Sequence, residues 1–347
     1  MNNVSRKKPI RVLIVDDSAL IRELLSEMLR HEPDFEVVGT AGDPLIAREK
    51  IKALNPDVIT LDIEMPRMDG LSFLERLMAL RPMPVVVVSS LAQKGTEAAM
   101  QALELGAVEV MAKPVHDIRT GMEELRSDLV AKLRAAARSR PRGRLAPSLP
   151  RVLKIDAALS SETRIVAVGA STGGVEALQR LLCDLPADAP AILITQHMPP
   201  GFTASFAERL DKICRVSVCE AQDRQRVLRG HVYIANGRYH LQLARSGAQY
   251  MCRLVQGPRV SGHLPSVDVL FESVAASAGA SALGIILTGM GSDGAAGLLA
   301  MRRAGARTLG ESEASCLIYG MPKAAMDMGA VQAEMDLGRL ACEIVAV

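Results

Sequence analysis

The strongest constraint on this fold is a repeated exchange between two hydrophobic periods over roughly its first 120 residues. Short apolar, β-branched runs at 11–15, 36–40, 58–61, 85–89 and 108–112 read as strands. Between them, apolar residues recur at helical spacing at 18–30, 44–54, 70–80 and 93–105. Leu20, Ile21, Leu24, Leu25 and Met28 form one such face, and Gly106 stops the fourth helix. A run such as Val85-Val-Val-Val-Ser89 suits a strand buried on both faces of a parallel sheet. The repetition predicts an open, doubly wound α/β sheet with its ligand site at the carboxyl ends of the strands.

A further helix over about 121–138 runs into a break in composition. No acidic residue lies between Asp128 and Asp156, while Arg134, Arg138, Arg140, Arg142, Arg144 and Arg151 crowd together among Pro141, Pro147 and Pro150. This marks a basic interdomain linker at about 139–162. A solvated linker is favoured over a contact with nucleic acid or an acidic partner. The α/β alternation then resumes. Strands are expected at 165–169, 191–196 and 284–288, and helices at 174–183, 203–210, 266–278 and 294–304. Asn236-Gly237 between 232–235 and 239–243 reads as a hairpin turn. The expected division is a first domain at 1–127, a helix end and linker at 128–162, and a second domain at 163–347. A chain of 347 residues has room for two such cores.

Composition narrows the function. Lys plus Arg number 41 against 39 acidic residues, so the formal charge is only +2, too balanced for a dedicated nucleic-acid binder. No Trp is present and aromatics are 3%, which disfavours a base-stacking platform. No apolar run approaches the roughly 20 residues of a membrane span. The basic start followed by a short apolar run ending in two aspartates is a poor signal peptide. Six cysteines without a CxxC pair suggest reduced, mostly buried thiols and a cytoplasmic protein.

Two sets of residues carry chemistry. In the first domain Asp16 and Asp17 follow the first expected strand, Asp62 the third, Ser89 the fourth and Lys113 the fifth. A doubly wound sheet brings these to one edge. Three carboxylates repel one another unless a cation intervenes, and hard oxygen ligands suit Mg²⁺. Lys113 and Ser89 can hold the oxygens of an incoming phosphoryl group, and Asp62 is the natural acceptor. A set of solvated turn acids is the plain alternative, and the order of residue types along five strand ends disfavours it.

In the second domain Gly169-Ala-Ser171-Thr-Gly-Gly174 joins a strand to a helix and contains G-x-S-x-G, a turn that exposes a serine. A glycine-rich anion loop is the alternative, although no Gly-Lys-Ser/Thr follows. His197 ends the next strand as a candidate general base. Asp293 follows the strand at 284–288 and would either cap the helix from Gly294 or orient His197. Asp268 is a second candidate orienter. Cys316, in an apolar run with no histidine near it in sequence, reads as a buried thiol.

Asp16-Asp17, Asp62-Ile-Glu-Met-Pro-Arg-Met-Asp-Gly70, Ser89-Ser90 and Lys113-Pro114 make about 9–127 resemble the receiver domain of bacterial response regulators. The resemblance implies phosphorylation of Asp62, with Mg²⁺ held by Asp16, Asp17, Asp62 and the Glu64 carbonyl. Val110 stands where receivers often carry an aromatic switch residue, which puts an aromatic-rotamer relay in doubt. The stretch 163–345 is similar to the catalytic domain of the protein-glutamate methylesterases of bacterial chemotaxis. The matching motifs are Gly169–Gly174, Gln196–Thr203, Pro265–Phe271, Leu287–Gly294 and Ala314–Pro322. Arg224, Arg229 and Asn236 depart from it, standing where a Gly and two Pro are expected.

That resemblance implies a flavodoxin-like receiver and a Rossmann-like esterase domain. Its triad would be Ser171, His197 and Asp293, with oxyanion donors near Thr172 and Met290 and no cofactor for ester hydrolysis. It further implies glutamyl methyl esters of chemoreceptors as substrate, glutamine deamidation, and a chemotaxis histidine kinase as phosphodonor. The unphosphorylated receiver is expected to cover the esterase site. Contact with a membrane is expected only through the receptors. A DNA-binding output domain is disfavoured, because no helix-turn-helix or basic face follows the linker.

Overall fold

The computed structural model describes residues 8–65, 70–89, 93–113, 122–139 and 165–346. By contact density the chain divides into two compact units, 1–146 and 147–347. The basic linker at 139–162 lies, but for Ser139, outside the described residues, as do Ser90, Pro114 and 66–69.

The first unit is a five-stranded, wholly parallel sheet of β1 (Ile10–Val15), β2 (Phe35–Ala41), β3 (Val58–Asp62), β4 (Val85–Ser89) and β5 (Glu109–Ala112). The strand order is 2-1-3-4-5. The order reverses beside β1, so the switch-point crevice lies between the ends of β1 and β3. Val12–Val15, Val58–Leu61 and Val85–Val88 are buried apart from at most traces of surface, as expected of strands covered on both faces. The intervening helices are α1 (Ala19–Arg30), α2 (Pro44–Leu54), α3 (Gly70–Leu80), α4 (Gln93–Glu104) and α5 (Met122–Arg138). Ser18 caps α1 by accepting from Ile21 N, and Asp43 caps α2 by accepting from Ile46 N with Pro44 in its first turn.

The second unit carries seven parallel strands in the order 14-13-12-6-7-9-8. They are β6 (Ile165–Ala170), β7 (Ala191–Gln196), β8 (Ser217–Glu220), β9 (His231–Ile234), β12 (Ala282–Ile286), β13 (Arg307–Glu311) and β14 (Ala333–Met335). Helices α6 (Gly174–Cys183), α7 (Phe202–Ile213), α8 (Val267–Ala278), α9 (Ala295–Arg303), α10 (Met321–Asp327) and α11 (Leu337–Val345) accompany them. Tyr233, Phe202, Phe206 and Phe271 are its largest fully buried side chains. Both sheets are the doubly wound parallel type expected.

The hairpin across Asn236-Gly237 is not formed. β9 pairs in parallel with β7 and β8, while β10 (His240–Ser246) pairs antiparallel with β11 (Gln249–Val255) in a separate ribbon. Asn236 makes its own turn, its Oδ1 accepting from Arg238 N, while its Nδ2 donates to Glu220 on β8. The real hairpin turn is at Gly247, where φ is +59°. Strands β8, β11, β13 and β14 and helices α10 and α11 are further elements that the periodicity did not predict.

Candidate functional site

The carboxyl edge of the first sheet gathers the acidic cluster. Asp16 and Asp62 are buried and Asp17 is exposed, and one carboxylate oxygen from each lies within 4.8 Å of the others. Lys113 Nζ, held at the end of β5, is 2.7 Å from Asp62 Oδ2 and 3.4 Å from Asp16 Oδ2. Ser18 N donates to Asp16 Oδ1 and Glu64 N to Asp62 Oδ1. Among the described residues Asp16 Oδ2 is buried and makes no regular hydrogen bond, with Lys113 Nζ beside it at 3.4 Å. Burial pushes the carboxyls of both Asp16 and Asp62 above the usual range; their mutual repulsion adds at Asp16, and Lys113 only partly opposes it. Burial disfavours the Lys113 charge too, but the two carboxylates more than offset it and hold the ammonium above its ordinary value. Three carboxylates gathered around one ammonium keep an excess of hard oxygen charge that fits a divalent cation such as Mg²⁺. Ser89 is fully buried at the end of β4, and Val110, at the position of the expected aromatic switch, is buried in β5.

The second site is built at the carboxyl ends of three neighbouring strands, β12, β6 and β7. Ser171 leaves β6, with its N–H donating to Thr288 O. Its carbonyl accepts from Gly174 N and from Gln196 Nε2. Gly173 has φ +80°, a left-handed conformation in which any Cβ would collide with Leu317, so the turn requires glycine there. His197 leaves β7, its N–H on Ala170 O. Gln196 Nε2 also donates to His197 O, so one buried amide ties the serine turn to the histidine turn.

His197 Nε2 is 2.7 Å from Asp293 Oδ2. The other ring nitrogen, Nδ1, is buried and has no hydrogen-bond partner among the described residues. With Nε2–H on the carboxylate, Nδ1 is the bare acceptor that a general base needs. His263 stacks on the ring at 3.7 Å between centroids and 9° between planes.

The helix-cap reading of Asp293 resolves in an unexpected way. Gly294 is the N-cap of α9 and makes no side-chain bond. The Asp293 carboxylate instead sits on the N-terminus of α8, accepting from Val267 N, Asp268 N and Ser266 Oγ. Burial opposes the charge, but His197 and these donors hold the carboxyl down at about 2. Asp268 makes no bond to His197. It accepts from Gly297 N in α9 and from Ser261 Oγ, so the two helices exchange acids across their N-terminal turns. Burial pushes the Asp268 carboxyl up, the neighbouring Asp293 charge adding to it.

Gly289 packs against the nucleophile turn. A Cβ there would lie 2.7 Å from Ser171 Cβ and would overlap Met321. This close approach brings the Met290 backbone beside Ser171. Among the described residues neither the Thr172 nor the Met290 N–H is taken by a hydrogen-bond acceptor. Beneath them, buried Glu311 accepts from Thr288 N, and Thr288 Oγ1 donates to Thr172 O. Sequence reasoning did not single out Gln196, Ser266, Thr288 or Glu311. Gln196, Ser266 and Thr288 stood in motifs already in view, next to or near His197, Asp268 and Asp293, and Glu311 did not.

Cys316 is buried, its thiol donating to Glu311 O, and burial pushes its pKa well up, which disfavours a thiolate there. The thiols are less buried overall than expected: only Cys252 and Cys316 are fully so, and Cys342 is exposed. Arg224, in place of the expected glycine, has φ +60°.

Two family models match the chain. One is the response regulator receiver domain, over residues 12–125, and the other is CheB methylesterase, over residues 166–344. The chain belongs to the CheB methylesterase family. Within it, a protein-glutamate methylesterase/protein-glutamine glutaminase of Chromohalobacter salexigens is 60% identical over 323 residues, covering 92% of this chain and 91% of its own. A protein of the same name from Salmonella typhimurium is 56% identical over 337 residues, covering 97% and 96%. Among solved structures, the Thermotoga maritima CheB methylesterase catalytic domain is 32% identical, with a TM-score of 0.52. The alignment covers 53% of this chain and 98% of that one. The family membership therefore extends over both sheets, with the receiver preceding the esterase. Among the described residues no helix is long and apolar enough to cross a membrane.

Proposed function

We propose that this family member is a phosphorylation-controlled esterase that removes methyl groups from glutamyl γ-methyl esters of chemoreceptors, with Ser171, His197 and Asp293 as its triad. The observation that carries the reading is His197, bonded through Nε2 to the buried Asp293 and left with a bare Nδ1 on the strand next to Ser171. Ser171 Oγ attacks the ester carbonyl as His197 Nδ1 takes its proton. The Thr172 and Met290 N–H groups receive the oxyanion; one such donor is worth roughly 3–4 kcal/mol. His197 returns the proton to the departing methanol. Water then attacks the acyl-enzyme by the same route and leaves glutamate. Attack on a glutamine side chain releases ammonia instead. No buried cation or cofactor is needed for this step. Asp293 orients the ring and stabilises the imidazolium.

In the receiver, Asp62 accepts a phosphoryl group from a chemotaxis histidine kinase. Mg²⁺ would be held by Asp16, Asp17, Asp62 and the Glu64 carbonyl, and would neutralise charge on the transferring group. Lys113 and Ser89 bind the phosphoryl oxygens. The protein acts in the cytoplasm and meets membranes through its receptors.

The test is methanol release from methylated receptor membranes, with and without a small phosphodonor. Ser171→Ala should lower release by at least roughly 10³-fold. Asp62→Asn should keep basal release and lose the response to phosphodonor. Ser171→Ala protein that retains most of its activity would sink the triad assignment. A promoter-DNA shift assay run beside it should show no binding.

A further inference from the structure

Two cysteines that the esterase chemistry does not use lie side by side. Cys183 is the last residue of α6, and Cys214 is the residue on which α7 ends. Their sulfurs are 3.7 Å apart and both residues are partly exposed. That distance is a contact without a bond, since a disulfide needs about 2.05 Å. Closing it takes about 1.7 Å of approach (3.7 less about 2.05) at two helix ends that carry no sheet register. Among the described residues no cluster of metal-ligating side chains includes either sulfur, so a metal thiolate site is disfavoured.

We propose that Cys183 and Cys214 form a reversible dithiol–disulfide site, oxidised by a low-molecular-weight disulfide. Either sulfur can donate its hydrogen to the other across this contact, so whichever thiol loses its proton first is supported by the one that keeps it. The Cys183 thiolate attacks one sulfur of the oxidant RSSR, giving Cys183–S–S–R and releasing RS⁻. Cys214 then loses its proton, attacks the Cys183 sulfur and expels the second RS⁻. In total two protein thiols are oxidised by two electrons and one RSSR is reduced to two RSH. The bond would join the far ends of α6 and α7. These helices begin at the turns that follow Ser171 and His197, so oxidation would tie together the supports of both turns.

The test exposes the folded full-length protein to oxidised glutathione, blocks the remaining thiols by alkylation and digests with trypsin. Cleavage at Arg180, Arg209, Lys212 and Arg215 places Cys183 in fragment 181–209 and Cys214 in 213–215, separate from Cys219. The expected product is these two fragments joined, lighter by two hydrogens and released by dithiothreitol. Exposed Cys342 serves as the internal standard for reaction with oxidant. In Cys214→Ser glutathione should stay on Cys183, and in Cys183→Ser on Cys214, because each variant lacks the second thiol that would expel it. The proposal is overturned if both fragments are recovered alkylated from wild type while Cys342 carries glutathione. It is equally overturned if wild type accumulates glutathione on both cysteines as stable mixed disulfides and yields no joined fragments.

Discussion

At the residue scale, Asp293 joins two tasks that are usually separate. One carboxylate bonds His197 and also closes the N-terminus of α8 through Val267 N and Asp268 N. Its loss should therefore be felt in both activity and stability. Asp293→Asn should lower methanol release by roughly 10³–10⁴-fold, because the amide no longer imposes the right tautomer on His197. The stability effect has a definite sign. The Asp293 carboxyl lies at about 2 in the folded protein against an ordinary 3.8, so its stabilisation is complete above pH 4 and is lost as pH falls through 2. The shift corresponds to on the order of 2 kcal/mol. Urea unfolding of wild type and Asp293→Asn between pH 5 and pH 2 measures it. The stability gap between them should narrow as the pH drops; a constant gap would falsify the linkage. The sequence already held this residue as a choice between helix cap and orienter. It could not show that the cap falls on α8 and not on the helix from Gly294, because α8 begins 26 residues earlier in the chain.

At the element scale, legibility followed the hydrophobic period. Helices α2, α3 and α6 and strands β4 and β7 match their expected bounds, because each is a clean apolar run or face ended by Gly, Pro or a polar cap. What failed was pairing. The 232–235 run looked like one arm of a hairpin because Asn-Gly follows it, yet the strand formed there, β9, lies between β7 and β8 and gains more from a parallel sheet than from a local turn. Short strands such as β14, three residues long, carry too little pattern to be seen. The turn before β9 offers a stability test. Arg224 occupies a left-handed conformation at φ +60°, which disfavours a side chain with a Cβ. Its N–H still donates to Cys252 O, so the turn itself is sound. Arg224→Gly should relieve the backbone at some cost in unfolded-chain entropy, for a net gain of about 0.5–1 kcal/mol. A thermal melt reads the change directly. An unchanged or lower midpoint would mean that Arg224 side-chain contacts outweigh the backbone effect.

At the scale of the whole molecule, the two sheets carry opposite electrostatic designs that a net charge of +2 conceals. The receiver gathers three carboxylates around one lysine, whereas in the second site the buried Asp293 carboxylate meets backbone and hydroxyl donors and an imidazole, with no lysine or arginine among its bonded partners in the described residues. A phosphoryl group on Asp62 adds about 1.5–2 negative charges to the receiver alone. It can change the rate at Ser171 only through a difference in how well two arrangements of the protein accommodate it. Turning a 1:99 population into 99:1 requires about 5.5 kcal/mol of such difference. If the unmodified receiver restrains the esterase, a chain lacking residues 1–150 should release methanol faster than the intact, unphosphorylated protein and should ignore phosphodonor. Because the second unit has its own seven-stranded sheet and buried core, the shortened chain is expected to fold. Circular dichroism and a cooperative melt check that before rates are compared. A folded fragment with the same basal rate as the intact protein would show that the receiver does not inhibit. Phosphorylation would then have to act by raising activity above that of the free catalytic unit, and the intact protein with phosphodonor should outrun the fragment.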